Sequence, residues 1–346
     1  MSHNPERKRE RERERETSYY YSLPKKMTYL RVCLFLALLV GSATAAREFS
    51  RQEMAVHREH IDAINADSRS TYVAGENEFF KGKTLEEAKS LMGTILEDHF
   101  KFSHPVKTFD HIKDSDIPTS FDSRTQWPNF IHPIRNQERC GSCWAFAASE
   151  ALSDRFAIAS NGTVNVVLSP EDLVSCDEHD MGCMGGILSQ AWKYLTETGI
   201  VTDQCFPYTA GTGTAPPCPA AGTCAADGVT YKKYKSQDYY RLATVQDIQK
   251  AIMTNGPVEA GFEVYKSFMS YKSGVYSRQW WQFWDTLMGG HAIKIVGWGV
   301  QDGEDYWLIA NSWGTTWGLD GFFKIKKGVN ECEIESTVYA GHPLLS

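Results

Sequence analysis

The placement of cysteine constrains this chain more than any other feature. One of its nine cysteines, Cys33, lies in an early apolar run, and the other eight crowd between Cys140 and Cys332 behind a long cysteine-free stretch. Such crowding becomes a crosslinked framework only in an oxidising compartment, and the N-terminal region reads as the route to one. Within residues 25–46, Lys25, Lys26 and Arg31 supply a positive region, residues 32–40 an apolar run, and Ala43-Thr44-Ala45 a small-residue cleavage site. The apolar run is far short of the roughly 18–20 residues that cross a bilayer, so no stable membrane span is expected. Asn161-Gly162-Thr163 is an acceptor for N-glycosylation, consistent with the same route.

The chain divides into four parts. Residues 1–26 hold an Arg/Glu alternation with almost no net charge, which cannot bury a core and is expected to be disordered. Residues 27–45 form the signal peptide, and one starting at Met27 would have ordinary proportions, so Met27 is an alternative start. Residues 46–116 are polar, with helical patterns over 54–66 and 84–96. The second opens on Thr84-Leu85-Glu86-Glu87, a capping-box pattern. A short helical leader between a signal and a cysteine-rich body reads as a pro-segment; a small independent domain is the alternative, which this length barely supports.

Residues 117–346 form the body. A buried helix is expected over 144–159, and a second starts with Ser169 as N-cap and Pro170 at the first helical position. Strand patterns follow over 258–262, 274–276, 292–298, 306–310 and 322–325. Helices first and strands second predict an α+β protein with two lobes. The net charge of −7 lacks the basic excess that nucleic-acid binding favours.

Cys143 directly precedes the expected helix, where exposed N–H groups and the positive dipole end favour thiolate. His291 follows Gly289-Gly290 and opens a strand, and Asn311 closes the strand over 306–310. A lone Cys-x-x-Cys pair more often signals redox or zinc chemistry, but there is no second pair here, and Trp144 with a helix follows. A single histidine is more often structural than catalytic. His132 and His179 keep that reading; the setting of His291 removes it.

Cys140-Gly141-Ser142-Cys143-Trp144 is the pattern of papain-type enzymes, whose His and Asn follow about 130–150 residues on. His291 falls inside that interval and Asn311 a little beyond it. The body resembles the papain family of cysteine proteases, and within it the cathepsin B branch. The resemblance is carried by residues 120–124, 140–146, 172–176 and 182–186, and further on by 255–259, 271–276, 289–293, 297–299 and 311–314. It covers nearly all of residues 117–341. The leader resembles that branch's short pro-segment at residues 72–79.

The resemblance implies a papain-like fold with a helical left lobe, a β-barrel-like right lobe and a short helical pro-segment that inhibits the enzyme. It implies Cys143 as nucleophile, His291 as base, Asn311 as the group orienting the imidazole, and Gln137 as oxyanion donor. Gly185 and Gly186 would pair with extended substrate, Trp313 would cover the Asn–His contact, and Trp317 would border the leaving-group side. The implied disulfides are Cys140–Cys183, Cys176–Cys218 and Cys205–Cys224, with Cys332 left as a spare thiol. Polypeptide substrates and cystatin-type inhibitors are the implied partners, with no metal and no organic cofactor. Lysosome, vacuole or extracellular space is the implied destination.

Four departures from the pattern carry expectations of their own. Glu138-Arg139 stands where the family has Gly-Ser; if the glycine position needs a positive φ, Glu138 costs about 1 kcal/mol. Residues 206–217 are short and without histidine, which implies endopeptidase action without carboxydipeptidase activity. Thr337 replaces an acidic residue in the second specificity pocket, which implies Leu, Val or Phe rather than Arg at P2. Residues 277–287 hold Trp280, Trp281, Phe283 and Trp284, read as a hairpin packed on the body in preference to a partner-binding patch. A catalytically dead relative is the competing class, and it would lose the nucleophile that is retained here.

Overall fold

Leader and body fold as one unit from Met54 onward. The structure is a computed structural model describing residues 53–97 and 104–345; the Arg/Glu tail and the signal peptide lie outside the described residues. In the leader, helix α1 (Arg58–Ala66) buries Ile61 and Ile64, and strand β1 (Tyr72–Ala74) follows. Helix α2 (Leu85–Lys89) has the expected capping box: Thr84 accepts from the Glu87 N–H while Glu87 accepts from the Thr84 N–H. The expected extension of this helix to residue 96 is not made. The chain leaves the helix after Lys89 and runs extended, because Thr94 bridges Gly186 and Gly290 instead of continuing the turn. A glycine at 93 weakens the helix at that point.

The left lobe begins with β2 (Phe121–Asp122) and α3 (Ser123–Gln126) and is built around α4 (Cys143–Ala159), α5 (Pro170–Cys176) and α6 (Leu188–Glu197). Alanine-rich α4 is buried along nearly its whole length, its charged Glu150, Asp154 and Arg155 included. Ser169 accepts from the Asp172 N–H to start α5 as expected. The right lobe holds β3 (Tyr240–Leu242), α7 (Val245–Asn255), β4 (Val258–Tyr265), β5 (Tyr271–Tyr276), β6 (Leu287–Gln301), β7 (Glu304–Ala310), β8 (Phe322–Lys326) and β9 (Thr337–Ala340). Its strands order as β1-β5-β8-β7-β6-β4-β9-β3, with β2 pairing β6. This path is open. The sheet does not close on itself, and the barrel-like expectation is corrected to a sheet whose edge, β5, is extended by the leader's β1. Gly297 is required where β2 crosses β6, since a Cβ there would overlap the Phe121 carbonyl.

Buried polar contacts bolt the lobes together. Arg155 of α4, fully buried, donates to the carbonyls of Pro257 (2.7 Å), Gly256 (3.0 Å) and Gly341 (3.0 Å). Lys294 of β6 reaches Asp154 at 2.6 Å and Glu150 at 3.6 Å. Such buried pairs fix geometry more than they add stability. Here they fix β6, which carries His291, against α4, which carries Cys143.

Candidate active site

Cys143 is the first residue of α4, fully buried and outside any disulfide. The backbone N–H groups of Ala292, Gly93 and Trp144 are directed at its sulfur, and Thr94 Oγ1 lies 3.2 Å from Sγ. These groups and the helix start favour the thiolate, yet burial outweighs them and pushes the thiol up from its ordinary value. His291 stands on β6 opposite Phe262 of β4. Its Nε2 is 2.8 Å from Asn311 Oδ1, just past the end of β7, and the Trp313 ring covers it at 4.7 Å. Because an amide oxygen accepts, the proton belongs on Nε2, and Nδ1 is left with a lone pair. That Nδ1 is buried and has no hydrogen-bond partner among the described residues. Burial lowers the imidazole to about 4, against the opposing pull of Asn311. Cys143 and His291 are therefore both neutral in this state: desolvation disfavours each charged form.

The leader adds to that burial at the sulfur. Gly93 and Thr94 lie against the sulfur. The Gly186 N–H donates to the Gly93 carbonyl (2.8 Å), Ile95 N–H to the Gly186 carbonyl (2.9 Å), and Thr94 N–H to the Gly290 carbonyl (3.0 Å). Leader and Gly186 run parallel. Gln137, also buried, donates from Nε2 to the Leu91 carbonyl (3.0 Å) and to the Cys140 carbonyl (2.9 Å), while its Oε1 accepts from Ser312 Oγ (2.8 Å). Gly141 and Gly93 pack backbone to backbone, and a Cβ on Gly93 would overlap the Gly141 carbonyl.

The structure brings most of the expected site residues together. Gly185 and Gly186 face the leader; a Cβ on Gly186 would enter the Trp144 ring. Leu96 of the leader, Leu188 and Thr337 all approach Gly261, where a Cβ would meet each of them. Trp313 meets Phe79 and Phe80 of the leader. Trp317 is buried under Trp313, packed on Phe268 and Phe323, and the Met269 carbonyl that accepts its Nε1–H at 3.3 Å also accepts from the leader's Asn77 at 3.1 Å. The three disulfides pair as the resemblance implied, and Cys332 is a free thiol. Cys140–Cys183 ties the loop before Cys143 to the one carrying Gly185 and Gly186. Glu138 adopts φ 56°, so the strained position is real; the Asn136 side chain accepts from its N–H at 2.9 Å. Asn161 is exposed just past the end of α4, open to a glycan.

Sequence reasoning missed Thr94, Leu96, Ser312 and Leu188. The only local signal was Gly93 inside an apparent helix. The aromatic loop at residues 277–287 is divided: Trp284 stacks on His60 at 3.9 Å and Trp281 donates to Asp67 at 3.0 Å, so both hold the leader, while Trp280 and Phe283 are exposed.

A thiol at a helix start, an asparagine-held imidazole across the inter-lobe cleft, and a leader lying over both define a cysteine peptidase in its precursor form. The family model for papain family cysteine proteases matches residues 117–342, and the chain belongs to that family. It is 43% identical over 315 residues to cathepsin B-like cysteine proteinase 4 of Caenorhabditis elegans, covering 82% of this chain and 92% of that one. It is 40% identical over 312 residues to cathepsin B-like CP2 of Giardia intestinalis, covering 88% and 98%. Among solved structures, procathepsin B S9 from Trypanosoma congolense superposes with a TM-score of 0.76 at 33% identity, covering 84% of this chain and 99% of that one. The protein is a cysteine peptidase made as a zymogen, with its pro-segment as inhibitor. No helix among the described residues is long and apolar enough to cross a membrane.

Proposed function

We propose that the matured protein is an endopeptidase in which Cys143 attacks the peptide carbonyl and His291 Nδ1 takes its proton. The observation that carries this reading is the Asn311–His291 bond, which holds the proton on Nε2 and leaves Nδ1 a buried lone pair, on the residue next to Ala292, whose N–H is directed at the Cys143 sulfur. When the leader departs, water enters, both charged forms become accessible, and the thiolate–imidazolium pair forms. The thiolate adds to the carbonyl, and Gln137 Nε2 with the Cys143 N–H stabilises the oxyanion. His291 then protonates the leaving amine, and water, deprotonated by the same imidazole, releases the acid and regenerates the thiol.

Gly186 supports an extended polypeptide at the backbone, as it now supports residues 93–95. The pocket around Leu96, with Thr337 in its wall, favours Leu, Val or Phe at P2. The absence of histidine in residues 206–217 favours internal cleavage over removal of C-terminal dipeptides. The mature domain begins near residue 117, cystatin-type inhibitors compete for the cleft, and the secretory pathway delivers the enzyme to a lysosome, vacuole or the extracellular space. The test uses the acid-processed enzyme on quenched peptides with P2 Leu or Arg, each with a free or amidated C-terminus. Leu should exceed Arg at P2 and amidation should leave internal cleavage unaltered. Dominant release of C-terminal dipeptides from free acids, or a P2-Arg preference, refutes the reading.

A further inference from the structure

We propose that Arg139 recognises a carboxylate on the leaving-group side of the cleft. The inference rests on the proposed reading of the site, in which Gln137 marks the scissile carbonyl. Leader residues after Leu91 run over Gly185 and Gly186, with Leu96 in the P2 pocket. Leader residues before Leu91 therefore lie over the opposite, leaving-group side, where Phe79 and Phe80 pack on Trp313.

Arg139 belongs to that side. It stands between Gln137, which holds the Leu91 carbonyl, and Gly141, against which the Ser90 carbonyl packs. Its backbone N–H donates to the Gly211 carbonyl at 3.1 Å, anchoring the loop while the side chain stays exposed. It makes no ion pair within 4 Å among the described residues. The leader offers it the acidic turn of α2. The Thr84 N–H chiefly holds the Glu87 carboxyl below its ordinary value, and the Arg139 charge adds to this. Lys83, depressed mainly by burial, is pushed further down by the same guanidinium.

Two other charges bear on the site. Glu138 has its carboxylate against the Gly211 backbone. Lys83 leaves with Glu87 when the leader is removed. The matured cleft then keeps an exposed guanidinium on the side that the acidic turn of α2 had covered. Its rigid fork suits a carboxylate, supplied by an Asp or Glu side chain after the cut.

The experiment compares acid-processed wild type with Arg139→Gln and Arg139→Glu. The substrates are quenched, C-terminally amidated peptides with P2 Leu and with Glu, Gln or Lys at each of the three positions after the scissile bond. The readout is the Glu/Gln ratio in kcat/KM, from which any general loss of activity cancels. At one position the wild-type ratio should be about tenfold, fall to about one in Arg139→Gln and invert in Arg139→Glu. Equal rates on Glu and Gln peptides in wild type, or a preference that survives Arg139→Gln, overturns the proposal. Failure of wild type to cleave even the Gln peptides would refute the catalytic reading instead.

Discussion

Replacing Gly93 with alanine should release the pro-segment from the cleft without unfolding the body. The added Cβ would overlap the Gly141 carbonyl, and its nearest neighbours are backbone atoms held by the Gly141–Cys183 hydrogen bond, which cannot swing aside. The leader must lift, and three bonds go with it: Gly186 N–H to Gly93, Ile95 N–H to Gly186 and Thr94 N–H to Gly290. At about 1 kcal/mol net for each bond, the loss is roughly 3 kcal/mol, or about a hundredfold in affinity. The assay is inhibition of matured enzyme by a peptide of residues 53–97, wild type against Gly93→Ala, with Glu76→Ala as an exposed control. A rise in Ki near a hundredfold is expected for Gly93→Ala and none for the control. A change below threefold would refute the idea that this backbone contact seats the inhibitor.

Mild acid should leave the same complex untouched as far as the catalytic pair is concerned. Under the leader the pair holds one proton, on Cys143, because burial pushes the thiol up and lowers the imidazole to about 4. In the freed cleft the thiolate–imidazolium pair also holds one proton, on His291, so opening the site takes up none and this pair gives peptide Ki no slope between about pH 5 and 7. Peptide Ki measured across this range checks it; a tenfold change per pH unit that disappears in Cys143→Ser contradicts the ion pair. Glu138→Gly should relieve the strain at φ 56°, worth about 1 kcal/mol and a rise of a few degrees in melting temperature; calorimetry that finds a fall would contradict it. Thr337→Glu should raise kcat/KM for P2-Arg relative to P2-Leu at least tenfold on paired fluorogenic substrates, and an unchanged ratio would remove Thr337 from the pocket.

How far the sequence could be read depended on whether local chemistry or distant contacts decided each element. The helix at Cys143, the Ser169 cap and the strands bearing His291 and Asn311 were legible because alanine content, a capping residue and β-branched runs act over a few residues. The three disulfide pairs came from resemblance; spacing alone leaves them open. The stretch from Leu91 to Leu96 was misread as helix because Leu91, Met92 and Ile95 satisfy a helical period. What overrides that period is pairing with Gly186 and Gly290, about a hundred and two hundred residues away. Two tryptophans four residues apart look equivalent in sequence, yet Trp313 meets the leader's Phe79 and Phe80 ring to ring, while Trp317 packs under Trp313 and shares the Met269 carbonyl with the leader's Asn77. The neutral state of the Cys143–His291 pair was not legible at all, since a segment whose path the sequence concealed adds to the burial at the sulfur.

The most direct test follows the rate of Cys143 alkylation by iodoacetamide against pH, in the matured enzyme and in its His291→Ala variant. An imidazole that ionises the thiol predicts rapid labelling persisting well below pH 6 in the wild type, and in the variant a shift to an ordinary thiol profile centred near 8.5. Identical profiles in the two proteins would contradict the account.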